Sequence, residues 1–324
     1  MPSLPHPHRV VPHRIAPHRI AIVGVGKIAR DQHRPSIAAN PAFTLAATVS
    51  RHAALDGVPA YTDLGDLLRE RPDVTALALC TPPQVRHALA AQAIAAGRHV
   101  LLEKPPGATL SEVEDLARRA DAAGVTLFAT WHSRFAPAVP QAREWLAGRT
   151  VRRIAVTWKE DVRRWHPGQA WIWQAGGLGV FDPGINALSM LTAITPVPLH
   201  LAEATLEVPA NCETPIAARL TFAGTPGATV TADFDWRQEG PQTWDIAVET
   251  DGGSLLLSAG GSRLAVDGTV LVDEPEDEYA GIYDRFADLL DRGGSDVALA
   301  PLRLVADAFL IGRRTTTAPF SDPA

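Results

Sequence analysis

The 324-residue sequence has little cysteine, no long apolar run and no excess of positive charge. Two cysteines, Cys80 and Cys212, are too few for a disulfide framework, and we expect a reducing, cytoplasmic location. No apolar run approaches the ~20 residues that span a bilayer, so no membrane is expected as a partner. The formal net charge of -6 argues against nucleic acid as a partner.

The N-terminus also lacks something, namely the apolar segment of a secretory signal. Residues 1–16 are rich in proline, histidine and arginine, a composition that predicts a disordered leader. No cysteine or carboxylate stands beside the histidines to complete a metal cage, so no metal is expected.

Short, continuous apolar runs alternate with segments of helical spacing over the first 130 residues. Such runs are typical of strands buried on both faces of a parallel sheet. The alternation predicts a doubly wound α/β sheet, a Rossmann domain over residues 17–131. The predicted strands are 20–24, 44–50, 75–80, 99–103 and 126–130.

The chain changes character after Thr150, where strand-like runs follow one another through short Gly-rich or Pro-rich turns. Period-two patterning predicts a large, mostly antiparallel open sheet, so residues 132–324 should form a substrate-binding α+β domain. A broad exposed sheet face favours a homo-oligomer, a dimer. The predicted strands are 154–158, 202–208, 216–222, 229–236, 243–250 and 254–258, and the predicted helices are 184–195, 278–291 and 301–314.

A Gly-x-Gly-x-x-Ala turn follows the first strand and opens a helix. The first glycine permits the tight turn, the second lets the backbone approach a pyrophosphate, and the alanine is small enough for helix–strand packing. The helix N-terminus offers unpaired amides to the anion. The motif is weak alone but specific in this context, and it predicts a nicotinamide dinucleotide bound by Gly24, Gly26, Lys27, Ile28 and Ala29.

The end of the second strand distinguishes the two nicotinamide cofactors. NAD binders commonly place an acid there, ~20 residues after the glycines, to hold the ribose hydroxyls. Here the strand ends in Ser50 and Arg51, whose hydroxyl and guanidinium suit a 2′-phosphate. We therefore expect NADP to be preferred, with NAD as a second cofactor. The alternative is that Arg51 is an ordinary exposed arginine.

The fourth strand runs into Glu103-Lys104-Pro105, which places a lysine at the carboxyl end of a parallel strand. Open α/β sheets bind their ligands at that edge. A lysine there can donate to a substrate oxygen, stabilise negative charge or relay a proton. Lys-Pro at a strand end is also common in plain surface turns.

Three motifs in this order resemble the Gfo/Idh/MocA family of oxidoreductases: the glycine turn, Thr81-Pro82 after the third strand, and Glu103-Lys104-Pro105 after the fourth. The resemblance covers nearly the whole chain. It implies a Rossmann domain followed by an α+β domain with a large open sheet. It also implies that Lys104 is catalytic and that the cofactor contacts Cys80, Thr81, Pro82, Glu103 and Lys104.

A second motif, Phe181-Asp182-Pro183-Gly184-Ile185-Asn186, opens the helix predicted at 184–195. Asp182 and Asn186 are four residues apart, so both can face one side of a helix turn. The family pattern has His where this sequence has Asn186, and an amide cannot titrate. Acid–base chemistry would then fall on Lys104 and Asp182. The alternative for Asp182 is a simple helix cap.

Four tryptophans lie in the sixteen residues from Trp158 to Trp173, among acids, arginines and a histidine. Sugar sites have this composition, because aromatic faces pack on C–H surfaces while polar groups bind hydroxyls. For Trp158, Trp171 and Trp173 the alternative is a place in the core or at an interface. His132 follows the fifth strand at its carboxyl end and is expected to face the cleft.

The same segments resemble, within that family, the bacterial L-arabinose and D-galactose 1-dehydrogenases. This resemblance implies NAD(P)-dependent oxidation of the anomeric carbon of one or both sugars to the lactone. It places Ser50 and Arg51 at the 2′-phosphate and Lys104, Asp182 and Asn186 at the reacting carbon. The alternatives are an inositol-type ring-alcohol dehydrogenase and a non-catalytic NADP-binding regulator. Around the sugar, besides those three, the resemblance implies His132, Glu160, Trp165, His166 and Trp244.

Overall fold

A computed structural model describes residues 16–195 and 198–321 of the chain. Two sheets organise these residues, one of six strands and one of nine. Apart from residue 16, the leader predicted at 1–16 lies outside the described residues. No helix within the described ranges is both long enough and apolar enough to cross a membrane.

The first sheet is parallel throughout and forms the Rossmann domain. Its strands are β1 His18–Val23, β2 Phe43–Val49, β3 Ala60–Tyr61, β4 Ala76–Leu79, β5 His99–Leu102 and β6 Leu127–Ala129, with helices α1 Arg34–Ala39, α2 Leu64–Glu70, α3 Pro83–Ala95 and α4 Leu110–Ala123. The strand order is β3-β2-β1-β4-β5-β6, so the winding reverses between β1 and β4. Ligands bind beside such a switch point, at the carboxyl ends of the strands. All five predicted strands are present; two-residue β3 is too short for a periodic signal.

The second sheet is mixed and has helices packed on one face. Its strands are β7 Val151–Lys159, β8 His200–Pro209, β9 Ala217–Ala223, β10 Thr229–Asp235, β11 Thr243–Thr250, β12 Gly253–Ser258, β13 Arg263–Val266, β14 Thr269–Asp273 and β15 Arg313–Thr317, with helices α5 Val139–Leu146, α6 Val162–Trp165, α7 Phe181–Ile194, α8 Glu278–Arg292 and α9 Ala300–Ile311. The order is β14-β13-β12-β11-β7-β10-β9-β8-β15. Neighbours are antiparallel except β7 with β10 and β8 with β15. The core lies between this sheet and helices α5, α7 and α9. The predicted fold class is confirmed.

Two helix boundaries differ from the prediction by three residues, and the others agree within one residue. Helix α7 begins at Phe181 rather than 184, because proline is tolerated in the first turn of a helix. Asp182 therefore lies inside that turn and is not the cap residue. Helix α9 ends at Ile311 rather than 314, and the chain turns at Gly312 into the edge strand β15. A Cβ at residue 312 would lie 2.3 Å from the Ala308 carbonyl oxygen, so only glycine fits this turn.

Helix α8 returns to the first sheet although it follows the second in sequence. Its buried face joins the core of β1 and α1, and the rings of Phe43 and Phe286 stack at 5.7 Å. A single boundary after residue 131 therefore does not describe the packing, because α8 completes the Rossmann layer. The apolar stripe of α8 predicts a buried face but does not say which sheet covers it.

Candidate active site

The glycine turn after β1 has the geometry of a phosphate-binding loop. Gly24 has φ +94°, and a Cβ there would lie 2.9 Å from the Thr81 backbone nitrogen, so the position requires glycine. A Cβ at Gly26 would meet open space. A helix begins at Lys27, directly after this open position. The bare backbone beside a helix start fits the pyrophosphate of a dinucleotide. Ala29 is fully buried, as its packing role requires.

The loop after β2 presents an exposed cation. Arg51 is exposed, and its guanidinium makes no hydrogen bond or ion pair with the residues that the structure describes. The Ser50 amide donates to the Tyr61 carbonyl (2.9 Å), which ties this loop to β3. A guanidinium so placed fits a phosphate ligand. Two neighbouring exposed cations do have partners: Lys27 is paired with Asp31, and Arg30 donates to the Ala54 carbonyl of the loop after β2 (3.0 Å).

A buried arginine, Arg86 of α3, ties together the loops that follow β4 and β5. Its guanidinium donates to the carbonyl oxygens of Thr81, Glu103 and Pro105. Burial lowers the pKa of Arg86 to about 10, which the nearby negative charge of Glu103 partly offsets. The side chain is charged at neutral pH. It thereby holds Thr81-Pro82 and Glu103-Lys104-Pro105, two of the motifs, at one edge of the sheet.

Lys104 and Asp182 meet across the two domains. The Lys104 ammonium donates to the Asp182 Oδ1 atom (3.2 Å) and to its backbone carbonyl (3.0 Å). Burial would raise the pKa of Asp182, but the charges of Lys104 and His166 outweigh it and lower that pKa. The result is a carboxylate and an amine in contact, at the carboxyl end of a parallel strand.

Beneath this pair lies a buried polar cluster that sequence reasoning missed. The Glu103 carboxylate accepts from the Tyr279 hydroxyl (2.6 Å), from His33 Nε2 (3.0 Å) and from the Lys104 amide (2.8 Å). His33 Nδ1 lies 2.7 Å from the Tyr283 hydroxyl. Burial would raise the pKa of Glu103, but the hydrogen bond and charge of His33 lower it to about 2. No spacing rule links His33 to tyrosines about 250 residues later.

A cavity of about 430 Å³ opens above the Lys104–Asp182 pair. All eight residues predicted around the sugar line it, and Ile28 of the glycine turn lines it too. Their individual roles remain predictions. Trp158, which the sequence left open between sugar site and core, lines the cavity as well. Seven further lining residues had no role predicted from the sequence: Gln32, Ser133, Pro183, Gly260, Glu276, Glu278 and Tyr279.

Glu160 is clamped by two indoles on the wall of the cavity. Trp244 Nε1 donates to its Oε2 atom (2.9 Å), and Trp236 Nε1 donates to its Oε1 atom (3.3 Å). Burial raises the pKa of Glu160 to about 7, although the tryptophan hydrogen bonds and Lys104 act against this rise. Glu160 therefore titrates in the neutral range, beside a carboxylate, Asp182, that stays charged.

Two histidines complete the polar wall. His166 Nε2 lies 3.6 Å from Asp182 Oδ2, and burial lowers the pKa of His166. His132 pairs through Nδ1 with Glu278. Burial opposes the charged form of His132, but Glu278 raises its pKa above the ordinary value. The protein therefore favours the neutral form of His166 and the protonated form of His132.

The tryptophans of 158–173 divide between cavity and core. Trp165 lines the cavity and packs on Trp244 with ring centres 5.5 Å apart, whereas Trp158 belongs to both, because it lines the cavity and is buried in the core of the second domain. Trp171 and Trp173 instead pack against the core of the second domain, and Trp173 contacts Trp236 at 5.1 Å. Within the described ranges, no group of three or more His, Cys, Asp or Glu side chains is arranged to hold a metal ion.

Comparison with known proteins identifies an oxidoreductase family and a relative that matches over nearly the whole chain. Residues 18–130 match the family model described as the oxidoreductase family with an NAD-binding Rossmann fold, Gfo/Idh/MocA. The chain is 47% identical over 301 residues to galactose 1-dehydrogenase of Pseudomonas fluorescens, which covers 93% of this chain and 98% of that protein.

Solved structures of related proteins point to the same family. A D-galactose-1-dehydrogenase from Rhizobium etli is 54% identical, covers 95% of this chain and 99% of its own, and superposes with a TM-score of 0.92. A 3-ketoreductase from Actinomadura kijaniata, solved with NADP and TDP-benzene, has a TM-score of 0.80 at 20% identity, which shows a shared fold only. The chain belongs to the Gfo/Idh/MocA family of oxidoreductases and is a homologue of galactose 1-dehydrogenase.

Proposed function

We propose that this protein is an NADP-preferring aldose 1-dehydrogenase that oxidises the anomeric carbon of D-galactose, L-arabinose or both to the lactone. The observation that carries the proposal is the Lys104–Asp182 contact, 3.2 Å between Nζ and Oδ1, on the floor of a cavity with aromatic and polar walls. The similarity to two galactose 1-dehydrogenases, over nearly the whole chain, supports the substrate class.

Oxidation at C1 requires removal of the O1 proton together with a hydride, and the nicotinamide, when bound, supplies the hydride acceptor. Lys104 and Asp182 receive the O1 proton as a coupled pair, because each group sets the charge of the other. Lys104 also stabilises negative charge on O1 through its ammonium. Asn186, which cannot titrate, orients the hydroxyl.

The remaining cavity residues hold the sugar. Aromatic faces such as Trp165 and Trp244 pack on the C–H surfaces of a pyranose, while Glu160, His132 and His166 bind its hydroxyls. A protonated Glu160 can donate a hydrogen bond as well as accept one, which its pKa of about 7 permits near neutral pH. Pentose and hexose differ by one hydroxymethyl group, so an open cavity discriminates weakly between them.

The dinucleotide is proposed to lie along the carboxyl edge of the first sheet. The glycine turn would hold its pyrophosphate, and Ser50 and Arg51 its 2′-phosphate. The loop residues Cys80, Thr81, Pro82 and Glu103 would flank the nicotinamide half. The absence of an acid after β2 supports NADP over NAD, since an acid is what commonly holds the ribose hydroxyls.

Cofactor reduction, followed by absorbance near 340 nm, tests the proposal. Purified protein is given NADP or NAD with D-galactose, L-arabinose, D-xylose, D-glucose or myo-inositol. We expect the highest kcat/KM with D-galactose or L-arabinose and NADP, and a carbon-13 signal of the lactone at C1. Reduction only with myo-inositol would favour a ring-alcohol dehydrogenase, and no reduction with any of the five would reject the dehydrogenase.

Location and assembly are also proposals. Both cysteines are free, which supports a reducing compartment such as the cytoplasm. The face of the nine-stranded sheet opposite α7 is not covered by a helix of the described residues, and it carries small side chains such as Ala155 and Ala247 beside charged ones such as the Lys159–Asp233 pair. We propose a dimer formed through this face. Light scattering on the purified chain measures its mass, and a monomeric mass would remove the dimer.

A further inference from the structure

A second cavity, of about 350 Å³, lies behind the active site. It opens between the edge strand β6, helices α5 and α8, and the end of α7. Three arginines and one aspartate supply its charge, and aromatic and aliphatic side chains supply the rest. Its charged lining residues are Arg134, Arg143, Arg285 and Asp296.

The charges of this arginine cavity are unbalanced. Arg285 is paired with Asp288 (3.1 Å) and Asp296 (3.1 Å). The guanidinium groups of Arg134 and Arg143 make no hydrogen bond or ion pair with any residue in the described ranges. Arg134 is partly buried, and burial and the two neighbouring guanidinium groups lower its pKa, against the charge of Asp296. Grouping like charges in a concavity is unfavourable unless a counter-charge binds there.

We infer that the arginine cavity binds a small multivalent oxyanion of the phosphate class. Guanidinium groups bind phosphate oxygens through paired N–H donors, and here two of the three groups have their donors available. The volume is within the usual range of ~300–1,000 Å³ for small-molecule sites. The apolar wall of Phe128 and Phe135 leaves room for a short carbon skeleton beside the charged group.

The site is positioned to act on catalysis. The short turn at His132–Phe135 contributes His132 to the sugar cavity and Arg134 to the arginine cavity. Helix α8 does the same with Tyr279 and Arg285. An oxyanion that draws Arg134 and Arg285 together therefore changes the placement of His132. We expect the KM for sugar to shift when the oxyanion binds.

Calorimetric titration of the full-length protein with inorganic phosphate tests this inference. NADP is kept saturating so that the cofactor's own phosphate sites are filled, and sodium chloride of equal ionic strength serves as the salt control. A parallel titration uses a hexose 6-phosphate to distinguish a free phosphate ligand from a phosphorylated metabolite. We expect saturable binding of at least one of the two.

Three variants locate the binding. Arg134→Gln and Arg143→Gln should each raise the Kd at least tenfold, and Arg118→Gln, an exposed arginine of α4, should leave it unchanged. Arg143 is exposed, so its variant tests the site even if Arg134→Gln fails to fold. Equal affinity in all variants, or heat that sodium chloride reproduces, would overturn the inference. Phosphate binding is measured without sugar, so this inference can fail while the dehydrogenase activity stands.

Discussion

The two ends of the proposed active site are built in opposite ways. The nucleotide end (Gly24–Ala29, Ser50 and Arg51) consists of a glycine turn at the start of a helix and an exposed guanidinium, that of Arg51, which has no hydrogen-bond or ion-pair partner among the described residues. The catalytic end (His33, Glu103, Lys104, Asp182 and Tyr279) is buried apart from the partly buried Lys104, and each of its side chains is hydrogen-bonded to another. We infer that changes at the nucleotide end act on binding alone, whereas changes at the catalytic end act on rate and stability together.

The difference follows from desolvation. An exposed guanidinium keeps its hydration until a ligand arrives, so removing it costs the folded protein little. A buried carboxylate such as Glu103 depends on every hydrogen bond it accepts, because losing one leaves charge without compensation. The contrast between the two ends can be tested by substitutions at each.

The largest effect is expected at Lys104. Lys104→Met removes the ammonium that contacts Asp182 and should lower kcat for the best sugar by about 10²–10⁴-fold, the usual contribution of acid–base catalysis. Steady-state kinetics under saturating cofactor measure it. The matched control is Lys159→Met, which removes a lysine on the second sheet that pairs with Asp233. A Lys104→Met enzyme within threefold of wild type would contradict the catalytic assignment.

The next largest effect is expected at Glu160, whose titration should make the free energy of unfolding depend on pH. The pKa of Glu160 is about 7 in the folded protein and 4.5 in the unfolded chain. Between these two pH values the folded state therefore keeps a proton that the unfolded state has released. Its contribution to the free energy of unfolding is therefore present below pH 4.5 and lost as pH rises through 7, by up to about 3 kcal/mol.

Urea unfolding at pH 5 and pH 8 measures this loss. Glu160→Gln does not titrate, so the free energy of unfolding of wild type minus that of the variant should fall as pH rises, which leaves the variant relatively more stable at pH 8 than at pH 5. The exposed Glu114→Gln serves as the control and should follow wild type at both pH values. A constant difference between wild type and Glu160→Gln would show that burial does not perturb Glu160.

A smaller effect is expected at Tyr279. Tyr279→Phe removes the 2.6 Å hydrogen bond to buried Glu103 and should lower the free energy of unfolding by about 2 kcal/mol. Because Glu103 also binds the Lys104 amide, kcat should fall several-fold while the KM for NADP stays constant. Tyr61→Phe in β3, away from the cavity, is the control. Loss of stability with unchanged kcat would show that Tyr279 supports the fold without positioning Lys104.

The same contrast explains what could be predicted from sequence. The geometry of the glycine turn was predictable because it is local: a glycine turn between a strand and a helix fixes the backbone within six residues. Lys104 and Asp182 were predictable from motifs and from the rule that ligands bind at carboxyl ends of parallel strands. Their contact crosses two domains, and only the fold brings them together.

The rest of the catalytic end was not predictable from local pattern. Tyr279 belongs to a helix whose apolar stripe predicts burial but not the partner sheet. Arg86 lies in a helix, where arginine is ordinarily exposed. Trp173, in a segment whose composition favours a sugar site, packs on the core instead, because composition does not assign single side chains to cavity or core. Long-range packing decides all three.

The smallest effect, and the sharpest test of the contrast, is expected at Arg51. Arg51→Ala should raise the KM for NADP about tenfold, about 1.4 kcal/mol, because the 2′-phosphate loses its guanidinium partner. The KM for NAD should change less than twofold, and the free energy of unfolding should stay within about 0.5 kcal/mol of wild type. Steady-state kinetics with both cofactors and urea unfolding give the three values.

Arg118→Ala removes another exposed arginine, in α4, and is the control for net charge. If Arg51→Ala raises both KM values equally, Arg51 does not read the 2′-phosphate, and the proposed preference for NADP loses its main support. If Arg51→Ala also destabilises the protein, the guanidinium is part of the folded structure after all. In that case a substitution at the nucleotide end would change both cofactor binding and stability. This would contradict the expectation that an exposed side chain contributes to binding alone.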